Sequence, residues 1–304
     1  MIKISFVICY YSGASTIEKA LDSLSKELST NTEVEVLVIE NGRLVDNHIR
    51  DNYNDLNISF ITIQKNIGLG NARNIGFEKA KGEIVYYLDD DAYLANGFVN
   101  KLFKDKFIDE MVCGGGLVKN ATSFSFISKL YHQLYFEPIQ LGLKLIIGTN
   151  MYFKRKLLED IGGFSLNLNR ADEAYVLNKI EEKGFASTFH EELEIYHAQP
   201  TSLNHVLKVF FYNGYYRKKI FKNDGAFLFC VRTFLHFVII FSIIFTFYSP
   251  IFLFLIFFRF LYGKFFQVAS NLNLLLIVPA LIFNFIRFIS EDLGYIYSFF
   301  NVKK

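Results

Sequence analysis

Apolar residues recur in two rhythms along the first 120 positions. The runs Ile2–Tyr10, Glu33–Ile39, Ile58–Ile63, Ile84–Leu88 and Met111–Val118 are short and rich in β-branched or aromatic residues, which predicts strands. Between them, Ser15–Leu28 places Ile17, Ala20, Leu21, Leu24 and Leu28 at helical spacing. A polar, helical stretch runs to Tyr53, Gly70–Lys81 sets Ala72, Ile75 and Ala80 on or near one face, and a further helix is predicted from Gly97 to Phe107. Repeated strand–helix units predict an α/β domain whose mostly parallel sheet is covered on both faces. Right-handed crossovers then align the C-terminal strand ends along one edge, where ligands bind in open α/β sheets. Tyr10-Tyr11, Glu40-Asn41 and Asp89-Asp90-Asp91 all fall at such ends.

Beyond residue 120 the rhythm changes. Phe124–Tyr135 and Leu141–Ile147 are apolar and aromatic, fit for core, for an acceptor groove or for a membrane-facing surface, with core the simplest assignment. Asp172–Lys183 reads as a helix closed by Gly184, and Ala186–His197 as a strand or hairpin. Leu203–Lys222 mixes apolar residues with Lys208, Arg217, Lys218, Lys219 and Lys222, as an interfacial helix or basic juxtamembrane segment would. Thr233–Phe258 contains no Asp, Glu, Lys or Arg and is long enough to cross a bilayer; Ser249-Pro250 makes it either one kinked helix or two. Leu272–Ile286 is a second apolar block. The expected organisation is a catalytic domain over residues 1–200, an amphipathic juxtamembrane segment over 201–226 and a transmembrane region of two or three helices over 227–304. Basic residues before the first apolar block place its N-terminal end on the cytosolic side, which predicts a multi-pass cell-membrane protein with a cytoplasmic catalytic domain.

Composition narrows the classes. The 52% hydrophobic content and 35 Phe of this 304-residue chain exceed what a purely soluble protein needs, and the surplus lies after about Phe227. A net charge of +2 gives no basis for nucleic-acid binding. Cys9, Cys113 and Cys230 are far apart and form no CxxC, which argues against a disulfide framework or a zinc site and suits a reducing compartment. Ile4–Tyr11 is too short for a signal peptide and runs straight into a strand pattern.

Three constellations carry chemistry. Carboxylates at Asp89, Asp90 and Asp91, at the mouth of a buried strand, repel one another unless a cation or strong donors neutralise them. A hard divalent ion would do so, and Mg²⁺ commonly shares its shell with substrate phosphates. The plain alternative is a solvated acidic turn. In the segment Asn66–Gly76, glycines allow close backbone approach and a helix N-terminus offers N–H groups to an anion. Gly68-x-Gly70 begins a dinucleotide fingerprint, but Arg73 stands at the third glycine position, so the dehydrogenase signature fails. Arg73 supplies a cation that could meet a diphosphate; the alternative is a tight turn with a surface arginine. Asp172-Glu173 opens a helix on which Glu173, Leu177 and Ile180 share one face, although acids in a first turn also suit the helix dipole.

The order of these motifs resembles the family 2 glycosyltransferases, over roughly residues 1–200: a strand to Tyr11, Glu40-Asn41, Asn66-x-Gly68-x-x-x-Ala72-Arg73-Asn74-x-Gly76, Leu88-Asp89-Asp90-Asp91, Gly162-Gly163-Phe164, then an acidic pair before a helix. The resemblance implies the GT-A nucleotide-diphospho-sugar transferase fold, a Rossmann-like mixed sheet, and the apolar tail is similar to that of membrane-attached members that make cell-surface polysaccharides or glycolipids. It implies that Asp89 and Asp91 are the outer acids of a DxD motif, with Asp89 and Asp90 at the donor and Asp91 on Mg²⁺ or Mn²⁺. It further implies that Glu40, beside Asn41, contacts the nucleobase, that Tyr10 and Tyr11 pack on the base, and that Arg73 lies near the diphosphate. By the same resemblance Glu173 is the general base, with Asp172 as the alternative, and His197 is a metal ligand beside Asp89 and Asp91. Gln199-Pro200-Thr201 does not continue as the QxxRW motif of processive synthases, so single addition is expected. The implied reaction is inverting transfer from a nucleotide-diphosphate sugar, UDP-linked by default, to a lipid-linked or cell-surface saccharide. A polyprenyl-phosphate acceptor, a non-catalytic sugar-nucleotide-binding scaffold and a membrane transporter are the alternatives; the last lacks intramembrane acids and paired broken helices.

Overall fold

A computed structural model describes residues 2–11, 14–28, 32–53, 56–104, 107–166, 172–220 and 277–300. The elements are β1 (Ile4–Tyr10), α1 (Ala14–Leu28), β2 (Val34–Asn41), α2 (Asn47–Asp51), β3 (Ile58–Ile63), α3 (Leu69–Lys79), β4 (Ile84–Asp89), β5 (Ala92–Leu94), α4 (Phe98–Phe103), α5 (Phe107–Glu110) and β6 (Cys113–Asn120). After them come α6 (Phe126–Tyr131), a π-helical turn at His132–Phe136, α7 (Glu137–Leu143), β7 (Asn150–Lys154), α8 (Arg155–Ile161), α9 (Asp172–Glu182), β8 (Thr188–His197), α10 (Leu203–Ile220) and α11 (Ile277–Phe300). The chain divides into a first unit, residues 1–125 with 139–199, and a second, residues 126–138 with 200–304.

The first unit holds one sheet of order β3-β2-β1-β4-β7-β6-β8-β5. The β3-β2-β1-β4 half is parallel throughout, as the strand–helix rhythm predicts. The other half is mixed: β7 runs antiparallel to β4 and β6, β8 parallel to β6, and β5 antiparallel to β8. A mostly parallel sheet therefore describes one half only. The sequence pattern missed β5, which has three residues, and β7, which lies inside the irregular stretch. In the parallel half, Tyr10 pairs with Glu40 and Cys9 with Asp89, so the C-terminal ends of β1, β2 and β4 are level.

Each sheet face buries its own layer. On one, Phe6 packs against Tyr86 and Phe98 with ring centroids 5.2 and 6.4 Å apart. On the other, Val7, Leu37, Val85, Tyr87, Met151 and Phe153 meet Ala72 of α3 and Val176 and Ile180 of α9. Gly76 makes the α3 contact possible, because a Cβ there would sit 2.3 Å from a Val7 methyl. Asn74, one helical turn from the loop, hooks the segment before α9: its Oδ1 accepts the Phe164 N–H at 2.7 Å and its Nδ2 donates to the Phe164 carbonyl at 3.0 Å. Gly163, at φ +73°, turns the backbone into that hook, where a side chain would strike Asn74 Oδ1. Phe164 is thereby pressed edge-on to Tyr87 at 5.1 Å. The Gly162-Gly163-Phe164 motif is thus a clamp between α3 and the approach to α9.

In the second unit Tyr131, Leu134, Val206, Phe210 and Phe283 form a buried cluster. The apolar stretches around residue 130 divide in their surroundings: Tyr131, Leu134 and Ile146 are buried, whereas Phe124, Phe126, Leu141, Leu143 and Leu145 are exposed, so core accounts for only part of them. The segment expected to be interfacial forms α10. Thr233–Phe258 lies outside the described residues, as do residues 272–276 of the second apolar block. The rest of that block continues as α11 past Arg287, Glu291 and Asp292, and no helix among the described residues is long and apolar enough to cross a membrane.

Candidate active site

The level strand ends place the acids first. Asp89 closes β4, and the turn Asp90-Asp91 leads directly into β5. Because Ala92 pairs with His197 across β5 and β8, the His197 ring is delivered to Asp91, with Nε2 3.0 Å from Oδ1. One donor atom from each of Asp89, Asp91 and His197 lies within 4.8 Å of the others. Burial works against a charged His197 ring, but the Asp91 carboxylate and its hydrogen bond, with Asp89 and Asp90 behind, hold its pKa above the ordinary value. Burial raises the Asp89 carboxyl, with Arg73 and His197 opposing. Two carboxylates and an imidazole crowded this closely are a donor set that fits a divalent ion such as Mn²⁺ or Mg²⁺, and such an ion would release the ring proton.

Arg73 is the hub. It enters from α3, 3% exposed, and Nη1 donates at 2.7 Å to Oδ1 of Asp172, itself 1% exposed. Its Nη2 donates to Asp89 Oδ1 at 3.2 Å and to the Gly148 carbonyl at 3.0 Å. The guanidinium also lies over the rings of Tyr87 and Phe164, 5.8 and 5.7 Å from their centroids. A surface arginine in a tight turn is excluded. Asp172 Oδ2 is buried without a hydrogen-bond donor. Glu173 is half-buried beside it, and a Cβ on Gly148 would sit 3.2 Å from its Oε2. Burial first, and the Asp172 charge second, push the Glu173 carboxyl up to about 7, with Arg73 opposing. Cys9, level with Asp89, has its thiol driven far up by burial and is correspondingly inert.

Several residues singled out from the sequence brace this edge from behind. Glu40 is fully buried: Oε1 accepts from Val45 N–H at 2.7 Å and from Arg50, and Oε2 from the Thr62 hydroxyl at 2.6 Å. Its carboxylate is thus held by donors inside the protein rather than standing open at the strand end. The cause is tertiary, since β3 brings Thr62 opposite Glu40 and α2 brings Arg50. Asn41 accepts the Ile67 N–H at 2.9 Å and donates to Asn66, fastening the loop before α3. Asp90 is buried and accepts the Tyr11 N–H at 2.7 Å, which pins the loop after β1. Tyr10 is buried in the sheet, so of the two tyrosines only Tyr11 presents its ring openly. Glu40→Gln is therefore expected to cost about 1–3 kcal/mol of stability and to leave the preference among nucleotide donors unchanged. Melting curves and a donor panel measure both, and a changed preference at unchanged stability would return Glu40 to the base.

Sequence reasoning assigned no role to Gly148, Tyr87 or Phe164. Phe164 sat in a motif that was visible; the Gly148 carbonyl had no sequence signal.

Among curated proteins, the chain is 25% identical over 173 residues to the uncharacterized glycosyltransferase YwdF of Bacillus subtilis, covering 55% of this chain and 63% of that protein. It is 24% identical over 211 residues to the O-antigen chain rhamnosyltransferase RfbN of Salmonella typhimurium, covering 64% and 66%. Each match thus spans less than two thirds of the relative. Among solved structures, the mannosyltransferase PcManGT of Pyrobaculum calidifontis, in complex with GDP-Man and Mn²⁺, superposes with a TM-score of 0.63 at 16% identity, over 99% of this chain and 88% of that one, and so shares the fold. Residues 5–162, more than half of the chain and including every strand of the parallel half and Asp89-Asp90-Asp91, match Glycosyl transferase family 2, and to that family the chain belongs.

Proposed function

We propose that this protein is an inverting, metal-dependent glycosyltransferase. It moves a sugar from a nucleotide-diphosphate donor, UDP-linked by default, to a lipid-linked or cell-surface saccharide. The observation that carries the reading is Arg73, which ties Asp89 of the cation-fitting cluster to the acidic pair Asp172-Glu173. Donor acids and a candidate base thus belong to one site.

Asp89, Asp91 and His197 would hold Mg²⁺ or Mn²⁺, which when bound supplies positive charge for the departing diphosphate. Arg73 fixes Asp172 and adds its own charge at the diphosphate side. Glu173, with a pKa of about 7, is ionised in a useful fraction at neutral pH and takes the proton of the acceptor hydroxyl. The acceptor oxygen forms its bond to the anomeric carbon as the bond to the diphosphate breaks on the opposite face, so the configuration inverts. Tyr11, whose exposed ring follows the end of β1, would lie against the base.

The chain is attached to the membrane through the charge-free run Thr233–Phe258, with the catalytic unit on the cytoplasmic side. That arrangement brings the site to lipid-linked acceptors.

A melting-temperature panel of UDP-, GDP- and dTDP-sugars with and without Mn²⁺ tests the reading. The true donor is expected to raise the melting temperature in the presence of Mn²⁺, and Asp91→Ala to abolish that rise while the apo protein still melts cooperatively. No response to any nucleotide, with or without Mn²⁺, would reject it.

A further inference from the structure

Helix α11 is built inside out. Its outward stripe is Ile286, Ile289, Leu293, Ile296 and Tyr297, polar at the Tyr297 hydroxyl and nowhere else; Leu293, Ile296 and Tyr297 are 55%, 40% and 49% exposed, and the Tyr297 ring borders α10, 5.6 and 6.1 Å from the Phe211 and Tyr215 centroids. Its buried side carries, together with Phe283 and Tyr295, the polar or small residues Arg287, Ser290, Glu291, Asp292, Gly294 and Ser298, with Ser290, Glu291 and Asp292 only 7%, 8% and 8% exposed. A helix at a water surface shows the reverse polarity.

The inward polar groups are met within the second unit. Arg287 Nε pairs with Glu291 Oε1 at 3.1 Å, and its guanidinium lies 4.9 Å from the Tyr135 ring centroid. Ser290 Oγ donates to the Leu207 carbonyl at 2.8 Å. Helices α10 and α11 also touch backbone to backbone: a Cβ on Gly214 would lie 1.8 Å from the Glu291 carbonyl oxygen, and one on Gly294 1.8 Å from that of Phe211. Glycine-mediated crossings with polar groups turned inward are how helices associate where the surrounding medium is apolar. In contrast, α10 has ordinary polarity, with Asn204, His205, Lys208 and Asn213 exposed and Val206 and Phe210 buried.

We infer that α11 lies in the plane of a lipid bilayer surface, its stripe Ile286–Ile289–Leu293–Ile296–Tyr297 among the acyl chains and α10 on the watery side of the pair. The stripe runs roughly 16 Å along the axis, about half of what a span of the hydrocarbon core requires. Lying flat, an apolar face of this kind sinks about 5–10 Å below the headgroups. A second copy of the chain is a poorer occupant. Three half-exposed side chains and two partly buried ones offer on the order of 400 Å² at most, about half of one partner's share of a standard protein interface. In sequence, α10 and α11 also bracket the charge-free run Thr233–Phe258. The inference rests on the membrane-attached reading above and adds to it the surface that meets lipid.

The chain contains no tryptophan, so a single introduced indole reports alone. Leu293→Trp and, as a second probe should that variant fold poorly, Ile296→Trp are compared with Asn204→Trp on α10. Each is the full chain, reconstituted in vesicles of phosphatidylglycerol and acyl-brominated phosphatidylcholine. The α11 indoles are expected to emit to the blue and to lose most of their emission to the brominated chains, while the α10 indole stays accessible to acrylamide. Flotation with the vesicles but α11 indoles quenched by acrylamide and untouched by bromine overturns the inference and leaves membrane attachment standing. Protection from both quenchers, with cross-linking between copies, overturns it in favour of a protein partner. Failure to float with vesicles overturns both readings together.

Discussion

Replacing Glu173 by Gln is expected to lower sugar transfer by about 10²–10⁴-fold, the usual contribution of a positioned general base, and to make the protein more stable at alkaline pH. The two effects share one cause. The folded site raises the Glu173 carboxyl to about 7, chiefly by burial and then by the Asp172 charge, from an ordinary value of 4.5. The folded state therefore holds a proton that the unfolded chain has released. Stability contributed by that proton is complete below the unfolded value and is lost as pH rises through about 7. Wild type carries the full penalty at about pH 8, and the glutamine, which does not titrate, carries none. The variant should melt higher than wild type at that pH, with the gap closing toward about pH 4.5. Transfer by wild type should rise as pH climbs through about 7, because the base acts ionised. Melting curves and initial rates across that range check both. A variant that retains full transfer would point to an acceptor needing no base, such as a polyprenyl phosphate.

Arg73→Leu should have the largest effect on the fold. It would leave the Asp172 carboxylate, at 1% exposure, without its cation. Breaking a buried pair from one side typically costs about 3–5 kcal/mol, which corresponds to a fall of roughly 10 °C in melting temperature for a domain of this size. It would also remove the tie to Asp89 and to the Gly148 carbonyl, and the packing against Tyr87 and Phe164. The double variant Arg73→Leu with Asp172→Asn should recover part of the loss, since the stranded charge is gone. Arg73→Lys should fold better than the leucine variant yet transfer poorly, because a single ammonium cannot serve Asp172, Asp89 and Gly148 with the geometry of a planar fork. An Arg73→Leu protein that melts with wild type would show that Asp172 does not depend on this cation.

How far the sequence could be read depended on the range of the interactions involved. The parallel half of the sheet was legible, because β1, β2 and β4 are buried runs flanked by helices and the edge strand β3 keeps exposed Ser59 and Thr62 between its apolar residues, and both patterns are written in the residues themselves. The edge strand β5 and the returning β7 were not, because three residues, or five inside an aromatic stretch, carry no period. The same division runs through the site. Asp89, Asp91 and His197 could be named in advance, and the pairing of β5 with β8 then brought the histidine to the acids. Glu40 shows the converse: its position at a strand end suggested an open carboxylate, whereas Thr62 and Arg50, 22 and 10 residues away in the chain, donate to it.

By itself, then, the sequence determined the strand–helix alternation, the acids at the strand tips, the family motifs and the charge-free run near the C-terminus, since each is written in neighbouring residues. Tertiary structure alone decided that Arg73 is buried between Asp89 and Asp172, that Glu173 sits beside a charge able to raise its pKa, and that α11 turns its polar side inward. Those outcomes rest on desolvation and on charges meeting across 16 or 99 positions of chain, and both exist only after the backbone has closed around them.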